Sequence, residues 1–296
     1  MANESVIRTP KGVSIEFNDE FHDALATVCQ GLIKSVHKIT IGNEPASFSN
    51  GVLNVHIDGD PANIAVREME FNTTKVTAIA FSDLSTGIQR IGHPSGSNGG
   101  GTVVVLLLHL KVPDSTLARA AITATEAITA AVQDLGLSCD SMPASGSQRQ
   151  DIIVIRDCGS GLFLRGAGKH CKLGELIGRS TIESVKESAA RNGTDIGSRK
   201  SALSMLAMYG YDTVRLSEMS GKNLSINERD SDPKVIATVS AVIHLYNESR
   251  WGLVSEEVAS SVGRAVIASG IGGPVEGADL LETLALTVIR HVFNRR

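Results

Sequence analysis

The sequence has few aromatic residues, few cysteines and no marked excess of charge of either sign. Aromatic residues make up only 4% of its 296 residues, and 28 Lys and Arg residues nearly balance 32 Asp and Glu residues. The net charge of −4 lacks the basic excess of a general nucleic-acid binder, so we expect no nucleic-acid partner. The four cysteines contain no Cys-x-x-Cys pair, which in a chain of this length predicts reduced thiols in a cytoplasmic protein.

Long apolar runs are also missing. The longest run, Val103–Leu108, ends at His109 and is far shorter than the ~18 residues of a membrane helix. The segment Met1–Lys11 has no apolar core of the signal-peptide kind. We therefore expect a cytoplasmic protein without a membrane partner. The hydrophobic fraction of 42% is that of a folded chain, and the length predicts about two domains.

The first two-thirds of the chain alternate between strand-like runs and long helical patterns. Apolar residues at helical spacing predict an amphipathic helix over Asp19–His37, and the clearest helix over Thr116–Leu135. Val103–Leu110 is apolar on both faces, which predicts an interior strand. The remaining predicted elements of this part are strands at Lys38–Gly42, Ala46–Phe48, Val52–Asp58 and Val76–Ser82, a strand pair Ile152–Arg156 and Leu162–Arg165, and a helix at Leu173–Ala190.

Beyond Gly193 only helical patterns remain. They lie at Ser201–Met208, Pro233–Glu248, Ser255–Ser269 and Ala278–Phe293. We predict a boundary within Asn192–Ser198, between an α+β domain over residues 1–193 and an all-helical domain over residues 199–296. The first domain is expected to pack a mixed or antiparallel sheet against long helices, and Trp251 is expected to be buried between helices of the second.

Several common functional motifs are missing. The glycine-rich loop Gly92–Gly101 lacks the Gly-Lys-Ser/Thr ending of a phosphate-binding loop, so nucleotide hydrolysis is not expected. There is no Gly-x-Ser-x-Gly segment, which disfavours a hydrolase of that type. The eight histidines never stand at metal-ligand spacing from one another or from cysteine. We expect neither a metal site nor a cofactor.

A series of short blocks does stand out, in a fixed order along the chain. The blocks are Phe48-Ser49-Asn50-Gly51, Ile79–Gly92, Gly101-Thr102, Ala121–Ala127, Ala144–Ser147 and Gly168–Gly178. Together they resemble the adenosylcobinamide amidohydrolases, the CbiZ family of corrinoid salvage. That family has the segments Ser-x-x-x-Asn-Gly, Thr-Ala-Gly-Leu-x-Asn, Gly-Thr-Ile-Asn, Thr-x-x-Glu-Ala-Lys-Thr, Thr-Gly-Thr-x-Thr-Asp and Leu-Gly-Glu-Leu-Ile-Gly. The resemblance covers about residues 44–193 and leaves the helical part unassigned.

The sequence departs from the family pattern at positions that carry polar groups. The aspartate of Thr-Gly-Thr-x-Thr-Asp falls on Gln150, with Asp151 one place later. A one-residue shift in a strand turns a side chain to the other face, so Asp151 is not an equivalent substitute. The family lysine after Glu-Ala is Ile128, and Thr-Ala-Gly-Leu-x-Asn becomes 81–86, Phe-Ser-Asp-Leu-Ser-Thr. The scaffold therefore resembles the family more closely than the active site does.

The resemblance implies hydrolysis of a linear C–N amide bond, the one that joins the aminopropanol arm to the corrin side chain. This reaction needs a base, a proton donor and oxyanion donors within reach of one bond. The resemblance places the catalytic groups at Glu126, His170 and Glu175. It places the substrate-binding residues in the same cleft, at Ser49, Asn50, Gly51, Thr102, Ser145, Gly146 and Ser147. Each also has an ordinary alternative, such as a solvated helix carboxylate for Glu126 or a turn for Asn50-Gly51.

Three functions remain open. The first is an amidohydrolase that converts adenosylcobinamide to adenosylcobyric acid and aminopropanol. The second is a non-catalytic corrinoid or tetrapyrrole binder, which the replacements at Gln150 and Ile128 favour because they remove titratable groups. The third is an assembly or regulatory protein that uses its helical domain, for which a homo-oligomer is possible.

Overall fold

The computed structural model describes residues 4–17, 22–28, 31–93, 99–139, 141–194, 201–221 and 228–293. The chain divides into two compact units. The first consists of Met1–Leu135 and Ala144–Asp195, and the second of Gly136–Pro143 and Ile196–Arg296. The sequence did not reveal that Gly136–Pro143 leaves the first unit. Within the described ranges, no helix is long and apolar enough to cross a membrane.

The first unit contains most of the strands and two long helices. The strands are β1 (Glu4–Thr9), β2 (Gly12–Phe17), β3 (His22–Ala26), β4 (Gly31–Val36), β5 (Lys38–Gly42), β6 (Ser47–Ser49), β7 (Val52–His56), β8 (Ala65–Phe71), β9 (Thr74–Asp83), β10 (Ile88–Gln89), β11 (Gly101–Leu108), β14 (Gly146–Ser147) and β15 (Gln150–Asp157). The helices are α1 (Asp114–Asp134) and α2 (Lys172–Arg191). β12 (Ser138–Cys139) and β13 (Met142–Pro143) belong to the second unit.

Two sheets and a helical layer make up the first unit. One sheet has the strand order β1-β2-β5-β7-β6, and the larger sheet has the order β4-β3-β15-β11-β9-β8. Side chains of both sheets, such as Ile39, Leu53, Val105 and Ile153, share one buried core. The helices α1 and α2 pack on the other face of the larger sheet. The α+β class with a mixed sheet is therefore confirmed.

The interior strand and the long helix predicted from the sequence are both present. β11 is paired with β15 in parallel and with β9 antiparallel, and all its residues are buried. The helical spacing predicts one buried apolar face made of six residues. Five of them are buried, namely Leu117, Ala124, Ile128, Val132 and Leu135, while Ala121 is half-buried. Gly136 follows the helix at φ +67°, the left-handed conformation expected after a helix C-cap.

The predicted helix over Asp19–His37 is wrong, because this segment contains β3 and β4, which form the edge of the larger sheet. Ala24 and Ala26 are buried at the two-residue spacing of a strand. Gly31 has φ +91°, a conformation that an α-helix does not contain. Pairing with β15 outweighs the apolar spacing that had predicted a helix.

The predicted strand pair Ile152–Arg156 and Leu162–Arg165 is half right. β15 is present, but the backbone of 162–164 hydrogen-bonds to Lys111 instead of to β15. The turn at Cys158–Gly161 therefore leads away from the sheet and toward α2. The strand β8 was missed, because its sequence Ala-Val-Arg-Glu-Met-Glu-Phe carries charges on an edge that faces solvent.

The second unit is helical apart from the pair β12–β13. Its helices are α3 (Ala202–Ala207), α4 (Thr213–Ser220), α5 (Pro233–Arg250), α6 (Glu256–Gly270) and α7 (Leu280–Phe293). Asp232 caps α5 by accepting a hydrogen bond from the Lys234 amide, as its Asp-Pro sequence predicts. The burial predicted for Trp251 is wrong: its side chain lies in the exposed α5–α6 connection and is 41% exposed.

Candidate functional site

A chain of buried hydroxyl groups lies where β9 ends and β11 begins, on the helix-covered face of the larger sheet. Thr102 Oγ1 is 2.9 Å from Ser82 Oγ and accepts a hydrogen bond of 3.1 Å from Ser147 Oγ. The Ser188 hydroxyl of α2 accepts a hydrogen bond from the Ser82 amide. Thr102 and Ser147, both expected to bind substrate, are thus brought together by strand register and by the β14 turn.

The surroundings of this hydroxyl chain are apolar and uncharged. Val104 and Ile128 are fully buried, and the side chain of Gln150 lies against Gly146. Among the described residues, no carboxylate, imidazole or ammonium group hydrogen-bonds to Ser82, Thr102 or Ser147 through its side chain. Hydroxyl groups alone can bind a polar group but do not provide a general base near neutral pH.

Asp151 faces away from this site, as the one-residue shift predicts. Its carboxylate accepts a hydrogen bond of 2.7 Å from Arg149 Nε, and Arg149 also contacts Asp58 and the His56 carbonyl. These partners belong to the side of the smaller sheet. A hydrogen bond from His56, at 2.7 Å, lowers the pKa of Asp58 below its ordinary value, with a smaller effect from Arg149. Asp151 cannot therefore replace the aspartate expected at Gln150.

The exposed face of α1 joins several of the other predicted site residues. Glu126 forms an ion pair of 3.2 Å with Lys169, next to His170. One turn further, Thr129 donates a hydrogen bond of 2.9 Å to the Ser145 carbonyl. Residues three apart are neighbours on a helix, so Glu126, Ser145 and the segment 168–170 lie along one surface. We name this the α1 surface.

The three predicted catalytic side chains are exposed and lie near lysines. Glu175 of α2 forms an ion pair with Lys172, and this hydrogen bond lowers the pKa of Glu175 below its ordinary value. Glu126 is about half-exposed and is paired with Lys169. Exposed ion pairs of this kind contribute little to stability and leave carboxylates ionised at neutral pH. The lowered pKa of Glu175 is opposite to the raised pKa that a general acid needs.

Ser49, Asn50 and Gly51 do not join the other predicted residues, so the expectation of one common cleft is wrong. They form the β6–β7 turn, and the Gly51 carbonyl accepts hydrogen bonds from the amides of His37 and Lys38. This turn belongs to the smaller sheet, on the face of the larger sheet opposite α1. Next to this turn, β4 pairs with β3, and β3 pairs with β15 as far as Asp157. Asp157 lies about 23 Å along β15 from Gln150, the residue that pairs with Thr102.

Comparisons with known proteins agree with the pattern of blocks. Residues 60–196 match the family model of adenosylcobinamide amidohydrolase, CbiZ. An uncharacterized protein of Methanocaldococcus jannaschii, MJ1613, is 37% identical over 91 residues, which cover 29% of this chain and 35% of that protein. The chain thus matches about a third of the length of this relative.

The similar solved structures include the PH0078 protein from Pyrococcus horikoshii OT3. It is 9% identical, covers 64% of this chain and 82% of its own, and has a TM-score of 0.32. At that score the likeness supports no argument about fold or function. The match of residues 60–196 to the family model supports an amidohydrolase-like role at the level of the CbiZ family.

The CbiZ motifs contain one more polar position that is not polar in this chain. Gly-Thr-Ile-Asn ends on Val104, so a third polar position of the family is apolar in this chain. Val104 and Gln150 belong to the helix-covered face of the larger sheet, beside Thr102, and Ile128 is buried on α1. The signal was present in the motifs, but only the strand register shows that Val104 and Gln150 lie next to Thr102.

The first glycine of the CbiZ segment Leu-Gly-Glu-Leu-Ile-Gly is explained by a close backbone contact in this structure. A Cβ atom on Gly174 would lie 2.0 Å from the Gly168 carbonyl oxygen, whereas one on Gly178 would meet nothing within 4 Å. Gly168 in turn accepts a hydrogen bond from the Cys171 amide, which closes the turn before α2. The first glycine lets this turn approach the helix.

We predict that Gly174→Ala lowers the free energy of unfolding by about 2 kcal/mol, because a backbone oxygen must move to admit the methyl group. The matched Gly178→Ala change is expected to be neutral or to stabilise by up to about 1 kcal/mol, since it removes a helical glycine. Urea unfolding of both variants measures the difference. Equal effects of the two changes would contradict the close approach at Gly174.

Proposed function

We propose that the first unit binds a corrinoid of the adenosylcobinamide type and does not hydrolyse it. The observation that carries this proposal is the set of three apolar or neutral residues at CbiZ polar positions. Val104 and Ile128 are fully buried, and Gln150 cannot titrate. A water molecule or a side-chain nucleophile placed there would have no base to activate it.

Ligand binding is supported by the features of the CbiZ family that this chain has kept. Thr102 and Ser147 keep hydroxyl groups at threonine positions of the CbiZ motifs, and Ser82 adds a third hydroxyl beside them. The α1 surface combines paired charges with the exposed side chain of Ile122. Such a surface suits a large ligand with an apolar body and many polar side arms.

A second candidate is the reaction of the family itself, the conversion of adenosylcobinamide to adenosylcobyric acid and aminopropanol. Glu126 favours it, because this residue matches the glutamate of Thr-x-x-Glu-Ala-Lys-Thr and is accessible on α1. In this case Glu126 would take up a proton from water, and the loss of the family lysine would have to be tolerated.

We expect that added adenosylcobinamide elutes with the protein in gel filtration, detected by its visible absorbance, and that no adenosylcobyric acid forms above the protein-free level. Chromatographic separation of the corrinoids measures both. The matched variant is Glu126→Gln, which keeps the size of the side chain and removes its charge. Release of adenosylcobyric acid that is lost in Glu126→Gln would establish the hydrolase and overturn the non-catalytic proposal.

A further inference from the structure

His170 is an exposed histidine whose ring is held against the protein along one edge only. A Cβ atom on Gly168 would lie 3.0 Å from His170 Cε1 and 3.2 Å from Nδ1, and 3.8 Å from Cδ of Arg119. The edge of the ring that carries Nδ1 and Cε1 therefore packs closely on Gly168. Nε2 lies outside this contact.

Among the residues that the structure describes, no polar group binds the His170 ring. Within the described parts of the chain, its nitrogens take part in no hydrogen bond or ion pair, although the neighbouring Lys169 and Lys172 are both paired with glutamates. A histidine of structural importance normally has a partner for at least one ring nitrogen. The ring is thus positioned by packing, and Nε2 is left available to a ligand.

Two exposed apolar side chains, Ile122 and Phe71, lie next to residues that neighbour this histidine. Ile122 stands one helical turn from both Arg119 and Glu126, whose neighbours are Gly168 and Lys169, and it is 47% exposed. Phe71 is 48% exposed, with Nζ of Lys172 located 4.7 Å from its ring centroid. The ion pairs of Lys169 and Lys172 supply polar groups at the border. A flat macrocycle with polar arms matches this distribution of apolar and charged groups.

The proposed ligand contains cobalt, a metal to which an exposed imidazole can bind. Cobinamide lacks the nucleotide base that occupies one axial position of cobalt in complete cobalamins, so that position is open to another ligand. Imidazole nitrogen is a common ligand of transition metals when the ring is neutral. We propose that Nε2 of His170 binds the cobalt of the corrinoid substrate, with the macrocycle lying over Ile122 and Phe71. This inference rests on corrinoid binding by the first unit.

Electron paramagnetic resonance of bound cob(II)inamide tests the proposal directly. A single nitrogen ligand splits each cobalt line into three, and we expect this splitting with the full-length protein. It should be lost in His170→Ala and retained in His244→Ala, which removes an exposed histidine of the second unit. In protein labelled with [15N]histidine, each triplet should become a doublet.

The outcomes separate this inference from the proposed function. Cobinamide that elutes with the protein but shows no nitrogen splitting would overturn the cobalt–His170 bond and leave corrinoid binding in place. Splitting that persists in His170→Ala would also overturn it, since another residue would then be the ligand. Cobinamide that does not bind at all would overturn both. Because His170 is exposed, its replacement should not disturb folding.

Discussion

Ile128→Lys is expected to lower the free energy of unfolding by about 4 kcal/mol, because it places an ammonium group at a fully buried position. Lysine is the residue that the CbiZ motif has there, so the result reports on whether the polar site of the family still exists. If a hydrated pocket with a counter-charge remained, the lysine would be accommodated at little cost. Urea unfolding, followed by circular dichroism, measures the change.

Ile122→Lys is the matched control for this variant. It makes the same substitution six residues earlier on α1, at a position that is 47% exposed, and should change stability by at most about 0.5 kcal/mol. A loss of less than about 1 kcal/mol for Ile128→Lys alone would contradict the apolar packing described for this region.

His109 is expected to make the protein about 3 kcal/mol less stable at pH 4 than at pH 7. It follows β11, and its Nε2 is 2.9 Å from Oγ1 of the buried Thr77. Burial, with a smaller effect from the nearby positive charge of Lys75, lowers the pKa of His109 to about 4, while Glu68 and Asp157 act in the opposite direction. In the unfolded chain the same group titrates near pH 6.5.

The sign follows from proton binding. Between pH 6.5 and 4 the unfolded chain binds a proton that the folded chain does not, so stability is fully present above this range and falls as the pH is lowered through it. A difference of that size corresponds to roughly 3 kcal/mol. His109→Gln removes the titration while keeping a group that can bond Thr77. We expect a flatter pH dependence for this variant, measured by urea unfolding from pH 7 to 4.5, and an unchanged slope would show that other groups cause the loss.

The sequence predicted those parts of the fold in which local pattern and tertiary packing agree. α1 has a regular apolar face, and β11 is apolar on both faces, so each pattern is consistent with one structure only. In 19–37 the apolar spacing suited a helix, but the edge of the sheet needed strands to pair with β15. Long-range pairing of this kind cannot be read from a short segment.

The sequence motifs identified residues of the candidate site but did not predict how the fold arranges them. Thr102 and Ser147 were identified from motifs, and they meet because β11 and β15 run in parallel register. Asn50 was identified in the same way, yet a second sheet places it on the opposite face of the larger sheet. The role of Val104 required knowledge of which strand face it occupies, which depends on register and not on composition.

The excursion of Gly136–Pro143 into the second unit affects how this protein can be dissected. Ser138 donates a hydrogen bond to the Tyr209 hydroxyl, and Arg250 donates one to the Ser141 carbonyl, so the helical unit takes part of its structure from the middle of the chain. A fragment that ends at Asp195 would keep these eight residues but strip them of their partners, and a fragment that begins at Ile196 would lack them. The polypeptide enters the helical unit twice. Neither unit is therefore one continuous segment of the chain, and a single cut in the chain cannot separate the two units. Their separation would require a circularly permuted or spliced design.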